Sequence, residues 1–242
     1  MKYLYVNGCS LSAGIELELE KRFGYLTAKK LGLEEINQAL ASGSNDRIFR
    51  KTFSWIANNQ DKIHETIFLI QWSDPSRMEV FHGDISKFPH VDDTSMWNTT
   101  TDGDFYEWAQ KVKGLKVYTP DGQVRGTNYW FNALNHFEEL VRVNAERTIR
   151  YIVSLQNYFE NNNLQYIMFY GLYSSIREAS DETRALIDQD NFLYFGEYRD
   201  FHSWSKEFYG LMPESHPNEA ANEAFSNILV ECVEKKDLKY EI

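Results

Sequence analysis

The chain has 242 residues, 43% of them hydrophobic and 25% charged, with a formal net charge of −11. That composition belongs to a folded protein with one core, and the negative charge, with no lysine or arginine cluster to offset it, excludes a nucleic-acid partner. No apolar run approaches the ~18 residues that span a bilayer, and Met1-Lys2 leads into a stretch too short for a secretory segment, so no membrane association is expected.

Tyr3-Leu4-Tyr5-Val6-Asn7 is rich in aromatic and apolar residues and stops at Gly8, which reads as a buried strand running into a turn. From Glu16 to Leu31 charges interleave with Leu, Phe, Tyr and Ala at helical spacing, and Gly32 closes the segment as a C-cap. An extended piece from Ile36 to Ala41 precedes the turn residues Ser42-Gly43-Ser44-Asn45-Asp46. Ile48, Phe49, Phe53 and Ile56 then mark one face of a helix. The segment Thr66-Ile67-Phe68-Leu69-Ile70-Gln71-Trp72 is almost continuously apolar, as a central parallel strand covered on both faces must be, and Ser73-Asp74-Pro75 ends it.

From about 78 to 127 the pattern gives way to acidic, aromatic and polar residues, which reads as an insertion within a single 1–242 domain. Inside it, Lys116-Val117-Tyr118 before Pro120-Asp121-Gly122 predicts a small hairpin. The insertion offers a lid over a site or a contact between copies in a homo-oligomer. Apolar residues recurring from Leu134 to Phe159 predict a long amphipathic helix, Tyr166-Ile167-Met168-Phe169-Tyr170 the next strand, and Phe192-Leu193-Tyr194-Phe195 a weaker last one. A final helix begins near Pro217. Strands alternating with helices predict an α/β protein with a parallel sheet whose strand C-termini share one edge, where sites form.

Gly8-Cys9-Ser10-Leu11 lies where the first strand gives way to a helix. Such a turn exposes a hydroxyl at the sheet edge, with helix N–H groups aimed at a developing oxyanion. Taken alone, Ser10 also reads as a helix cap. His216, in Ser215-His216-Pro217-Asn218-Glu219, stands just before a helix whose first position is proline, so its imidazole is open to a partner.

Four blocks in this order resemble the SGNH, or GDSL-like, hydrolases. Gly8-Cys9-Ser10-Leu11 is similar to their Gly-Asp-Ser-Leu, Gly43 to the glycine after the second strand, Gln71-Trp72-Ser73-Asp74 to Gly-x-Asn-Asp, and His216-Pro217-Asn218 to the end of Asp-x-x-His-Pro. The resemblance implies a three-layer α/β/α fold with a flavodoxin-like parallel sheet of about five strands and the insertion after the third. It also implies Ser10 as nucleophile, His216 as general base, and an oxyanion hole from the Ser10 and Gly43 N–H groups. Departures from the pattern bear on the expected roles. Cys9 replaces an aspartate, Ser73 stands where an asparagine would donate, with Asn45 a nearby substitute, and Pro213 replaces the acid three residues before the histidine. Glu214 is the nearest carboxylate, and a Ser-His dyad held by a backbone carbonyl is the alternative.

Cys9 is expected to face the core, since directions alternate near a strand end and Ser10 faces the cleft. Arg77 is a candidate for an anionic substrate group or for an ion pair with Glu79 or Asp74. Trp72, Trp97, Trp108 and Trp130 are candidates for stacking on sugars, or core. Asp92-Asp93 and Asp102-Asp104 lack the spacing of a calcium loop, so no metal is expected. With Cys232 the chain has two cysteines and no disulfide framework, which points to a reducing, cytoplasmic setting. The function expected is cofactor-free hydrolysis of a small-molecule or carbohydrate ester. Its rivals are an inactive binding or assembly protein of the same fold and an acyltransferase using the same residues.

Overall fold

The structure, a computed structural model, describes residues 1–81, 97–100, 117–118, 124–125, 138–173 and 176–235. Along the chain run β1 (Tyr3–Asn7), α1 (Ser10–Ala13), α2 (Phe23–Leu31), β2 (Glu34–Asn37), α3 (Asn45–Asn58), β3 (Thr66–Trp72), β4 (Met78–Phe81), β5 (Trp97–Thr100), β6 (Val117–Tyr118) and β7 (Val124–Arg125). They are followed by α4 (Glu138–Asn161), β8 (Gln165–Tyr170), α5 (Asp181–Arg184), β9 (Phe192–Leu193), α6 (Phe201–Phe208) and α7 (Glu219–Lys235).

Five strands form one parallel sheet in the order β2-β1-β3-β8-β9. Successive crossovers leave β1 first toward β2 and then toward β3, so the order reverses there. The crevice beyond the strand C-termini at such a reversal is where doubly wound sheets bind ligands. Two antiparallel pairs, β4 with β5 and β6 with β7, lie between β3 and α4 in the chain. The second pair is the hairpin expected around Pro120-Asp121-Gly122.

The period of two in the strands divides the core into two layers. Tyr5, Phe68, Ile70, Trp72, Tyr166, Met168 and Tyr170 point to one face, where Ile48 and Ile56 of α3 and Ile149, Ile152, Leu155 and Phe159 of α4 cover them. Leu4, Val6, Ile67, Leu69, Ile167 and Phe169 point to the other, against Phe23 of α2, Phe201 and Trp204 of α6, and Phe225 and Leu229 of α7. The second layer is built around stacked and edge-on rings, with Phe201 and Phe225 4.5 Å apart between centroids and Phe169 and Phe225 5.0 Å apart. Each such ring, fully buried, contributes roughly 1.5–3 kcal/mol. The result is the α/β/α sandwich that the strand pattern predicts.

Three boundaries differ from the sequence reading. The helix expected from Glu16 begins only at Phe23, because Gly14 (φ 64) ends α1 in the left-handed region and Glu16 (φ 70) itself sits there, which a helix cannot contain. Gly32 closes α2 as expected, with its N–H on the carbonyls of Ala28 and Lys29. β2 lies earlier than 36–41. After Asn37 the chain still follows β1 through Gln38 N–H on Val6 O (2.8 Å) and Leu40 N–H on Gly8 O (3.2 Å). The helix α6 has no counterpart in the sequence reading. It is short, and its apolar face is Phe201 and Trp204 behind an Asp200 cap.

Candidate active site

The turn after β1 is held from below. Buried Asn7 donates from Nδ2 to Ile48 O and to Thr52 Oγ1, both at 3.0 Å, while its Oδ1 accepts the Gly8 N–H at 2.9 Å. Gln71, at the end of β3, accepts at Oε1 from the Cys9 N–H and from Ser12 Oγ, both at 3.0 Å, and donates from Nε2 to Trp72 O at 2.8 Å. Every polar group of these two carboxamides is paired, as burial demands. Cys9 is fully buried in the second core layer. Ser10 opens α1 half-buried, and its hydroxyl has no partner among the described residues.

Gly43 presses its backbone onto this turn. A Cβ added there would lie 2.8 Å from Gly8 O and 3.3 Å from the Cys9 Cα, so only glycine permits the approach. The Gly43 N–H donates to Leu40 O at 2.9 Å, closing a turn. Ser44 then caps α3 through the Arg47 N–H.

Asn45 and Ser73 meet, in a way the sequence did not indicate. Asn45 donates from Nδ2 to Ser73 O (2.9 Å) and Thr148 Oγ1 (3.0 Å) and accepts the Ser73 N–H at Oδ1 (2.8 Å). Its amide is therefore a clamp between α3, β3 and α4 with no donor left over for an oxyanion. Ser73 Oγ accepts from Arg77 Nη1 at 2.9 Å, which leaves its own proton to donate and ties Arg77 to the loop after β3. Trp72 is not a stacking platform. It is fully buried with Nε1 on Met168 Sδ, because its position in β3 faces the first core layer. The side chains of Trp97, Trp108, Trp130, Asp92, Asp93, Asp102 and Asp104 lie outside the described residues.

His216 sits within the loop closed by a short bridge, Leu211 with Pro217, just before α7, with its carbonyl accepting the Met212 N–H at 2.7 Å. Its Nδ1 lies 2.9 Å from Glu16 Oε2, and both side chains are about five-sixths buried, at 16% and 15% exposure. The other oxygen, Glu16 Oε1, accepts the Glu214 N–H at 3.1 Å. Partial burial pushes the Glu16 carboxyl up, but the hydrogen bonds from His216 and Glu214 and the charge of the imidazole outweigh it and hold the group below the usual glutamate range. Glu214 thus takes part through its backbone. Its exposed carboxylate makes no hydrogen bond to the ring among the described residues, although one of its oxygens lies within 4.8 Å of the Glu16 and His216 polar atoms. His202 Nε2 braces the same loop at Ser215 O, 3.1 Å away.

Among the described residues, Glu16, Glu214 and His216 bring three possible metal-ligand atoms within 4.8 Å of one another. The 2.9 Å contact between Nδ1 and Oε2 is that of a hydrogen bond sharing one proton. Ser10 is linked to this group through the chain. The Ile15 N–H donates to Ser10 O at 3.2 Å, and Glu16 follows directly.

A known family matches residues 14–225, a span that holds Glu16, Gly43 and His216 and begins just after Ser10. The chain belongs to the family of unknown function DUF6071. No curated protein matches the sequence. Among solved structures, this DUF6071 chain is similar to the psychrotrophic esterase EstA from Pseudoalteromonas sp., at 14% identity and a TM-score of 0.49 over 98% of each chain. It is similar to TesA at 11% identity and a TM-score of 0.49 over 97% of each chain. A carbohydrate esterase is similar at 11% identity and a TM-score of 0.43, over 97% of this chain and 65% of that one.

Two site residues were beyond sequence reasoning. Gln71 stood inside an apolar run and read as part of a strand, and Glu16 read as the first residue of a helix. Only a left-handed turn, invisible in composition, brings Glu16 to a histidine 200 positions away.

Proposed function

We propose that this protein is a serine hydrolase that cleaves an ester, with Ser10 as nucleophile and His216 as general base. The observation that carries the reading is the imidazole. With Nδ1–H donated to a carboxylate, the lone pair is on Nε2, which has no partner among the described residues, and the unpartnered Ser10 hydroxyl opens the loop that leads to that carboxylate. Ser10 Oγ attacks the ester carbonyl as Nε2 takes its proton. The tetrahedral intermediate collapses to an acyl-serine, and the departing alcohol takes that proton. Water, deprotonated by the same Nε2, then attacks the acyl carbon and releases the acid and Ser10. No cofactor is needed.

The negative charge on the intermediate falls to the Ser10 N–H, at the start of α1, and to the Ser73 hydroxyl. The Gly43 N–H joins them when it exchanges Leu40 O for the oxyanion. The substrate is a small-molecule or carbohydrate ester, with water or a second hydroxyl compound as acceptor. Cys9 and Cys232 are buried and outside any disulfide, which suits a reducing cytoplasm.

A binding protein of the same fold is the second reading, favoured by the engaged Gly43 N–H and by the Asn45 amide with no free donor. A fluorophosphonate probe separates the two. The hydrolase reading expects stoichiometric labelling at Ser10 that disappears in Ser10→Ala and slows at least ~100-fold in His216→Ala. An unlabelled wild-type protein would leave the binding reading in its place.

A further inference from the structure

The residue that orients the base is not near it in sequence, and we infer that Glu16 is the positioning residue of His216, so that the carboxylate of the triad comes from the nucleophile's own loop. This rests on the hydrolase reading above. Three independent features of Glu16 point the same way. Its Oε2 holds Nδ1 of the imidazole at 2.9 Å, the ring atom a positioning carboxylate must hold if Nε2 is to accept a proton. Its Oε1 holds the Glu214 N–H at 3.1 Å, so the carboxylate is pinned at both oxygens and cannot rotate away. Its backbone lies in the left-handed region, at φ 70, where a glycine or asparagine is the usual occupant and a long side chain costs stability.

A strained glutamate whose carboxylate is fully used is a residue kept for that carboxylate. The position where the SGNH pattern would put an acid is Pro213, and the neighbouring Glu214 lends only its N–H. The loop from Ser10 through Gly14 to Glu16 therefore carries both the nucleophile and the group that sets the tautomer of its base.

The test is Glu16→Gln, with Glu214→Gln, Glu16→Gly and Glu16→Asp beside it, read by ester turnover and by the imidazole nitrogen resonances of His216. In Glu16→Gln the new amide donates to Nδ1 and places the proton on Nε2. The expected outcome is a ~10³–10⁴-fold fall in kcat with KM within about threefold, and a change of tautomer in the nitrogen shifts. Glu214→Gln should lower kcat far less than Glu16→Gln does. Glu16→Asp, one methylene shorter, should recover part of the loss. Glu16→Gly should match the Gln variant in activity, since it too lacks the carboxylate that holds Nδ1.

Wild-type kcat in Glu16→Gln, with Ser10→Ala and His216→Ala inactive, would overturn the inference and leave the hydrolase standing. Should no ester be turned over by any form, the resonances still decide it: an unchanged His216 tautomer in Glu16→Gln overturns it, and a changed one supports it.

Discussion

The two loops that carry the candidate chemistry are built differently. The turn from Asn7 to Ser12 is buried in a lattice of carboxamide hydrogen bonds from Asn7 and Gln71, with Gly43 pressed against it, and belongs to the core as much as to the surface. The loop from Gly210 to Pro217 is exposed at Pro213, Glu214 and Ser215, turns through left-handed residues at Gly210 and Ser215, and is fastened to the neighbouring parts of the fold by Glu16 and His202. Ser10 is fixed by the fold, whereas His216 is held by a few side chains. Stability and activity should therefore separate between the two loops.

The largest effect on stability is expected at Asn45, although the residue hydrogen-bonds to neither Ser10 nor His216. Asn45→Ala leaves the Ser73 N–H, Ser73 O and Thr148 hydroxyl without their buried partner, and should cost about 3 kcal/mol in chemical denaturation. Gly43→Ala comes next. Its methyl would meet backbone atoms of the nucleophile turn, which have no slack, so a loss of about 2 kcal/mol and a fall in probe labelling at Ser10 should arrive together. If Gly43→Ala labels at the wild-type rate, the turn is more pliable than its packing implies.

On the histidine side the pH response sharpens the contrast. Glu16 is held below the usual glutamate range, so its contribution to stability is present above pH ~4.3 and fades as pH falls through its folded value. Asp200, which caps α6 beside His202, behaves oppositely. Burial raises its carboxyl, against the pull of Ser203 and Tyr173, so the folded state keeps a proton the unfolded chain has released, and stability falls as pH rises through that window. Thermal unfolding from pH 3 to 7 should therefore lose part of its low-pH decline in Glu16→Gln and gain stability near neutrality in Asp200→Asn. The smallest effect belongs to Ser215→Gly, where relief of a left-handed φ and the greater freedom of the unfolded chain nearly cancel, leaving a change under about 1 kcal/mol.

The fold was legible where a residue's neighbours in sequence decide its environment. The unbroken apolar run of β3 announces a strand covered on both faces, and the spacing of Ile48 and Ile56 announces a helix over it. The local settings of Ser10 and His216 were legible for the same reason, one at a strand-to-helix turn and the other just before a helix start. The place of Glu16 was not. Its partner is reached through a reversal of chain direction at Gly14 and Glu16, and nothing within a local window distinguishes a glutamate in such a turn from one on a solvated helix. Gln71 was hidden by the opposite circumstance, a polar residue inside a strand whose value lies in what the adjacent loop needs from it. Trp72 shows the complementary error, because an aromatic residue at a strand end reads equally well as a platform or as core until the face it occupies is known.

The central claim is tested most directly by the hydrolysis of a panel of p-nitrophenyl esters and acetylated sugars by the wild-type protein and its Ser10→Ala and His216→Ala variants, with folding of all three checked by circular dichroism. Turnover by the wild type and its loss by at least ~10³-fold in both variants, at unchanged secondary structure, is the result predicted. Equal turnover in the three proteins would contradict it.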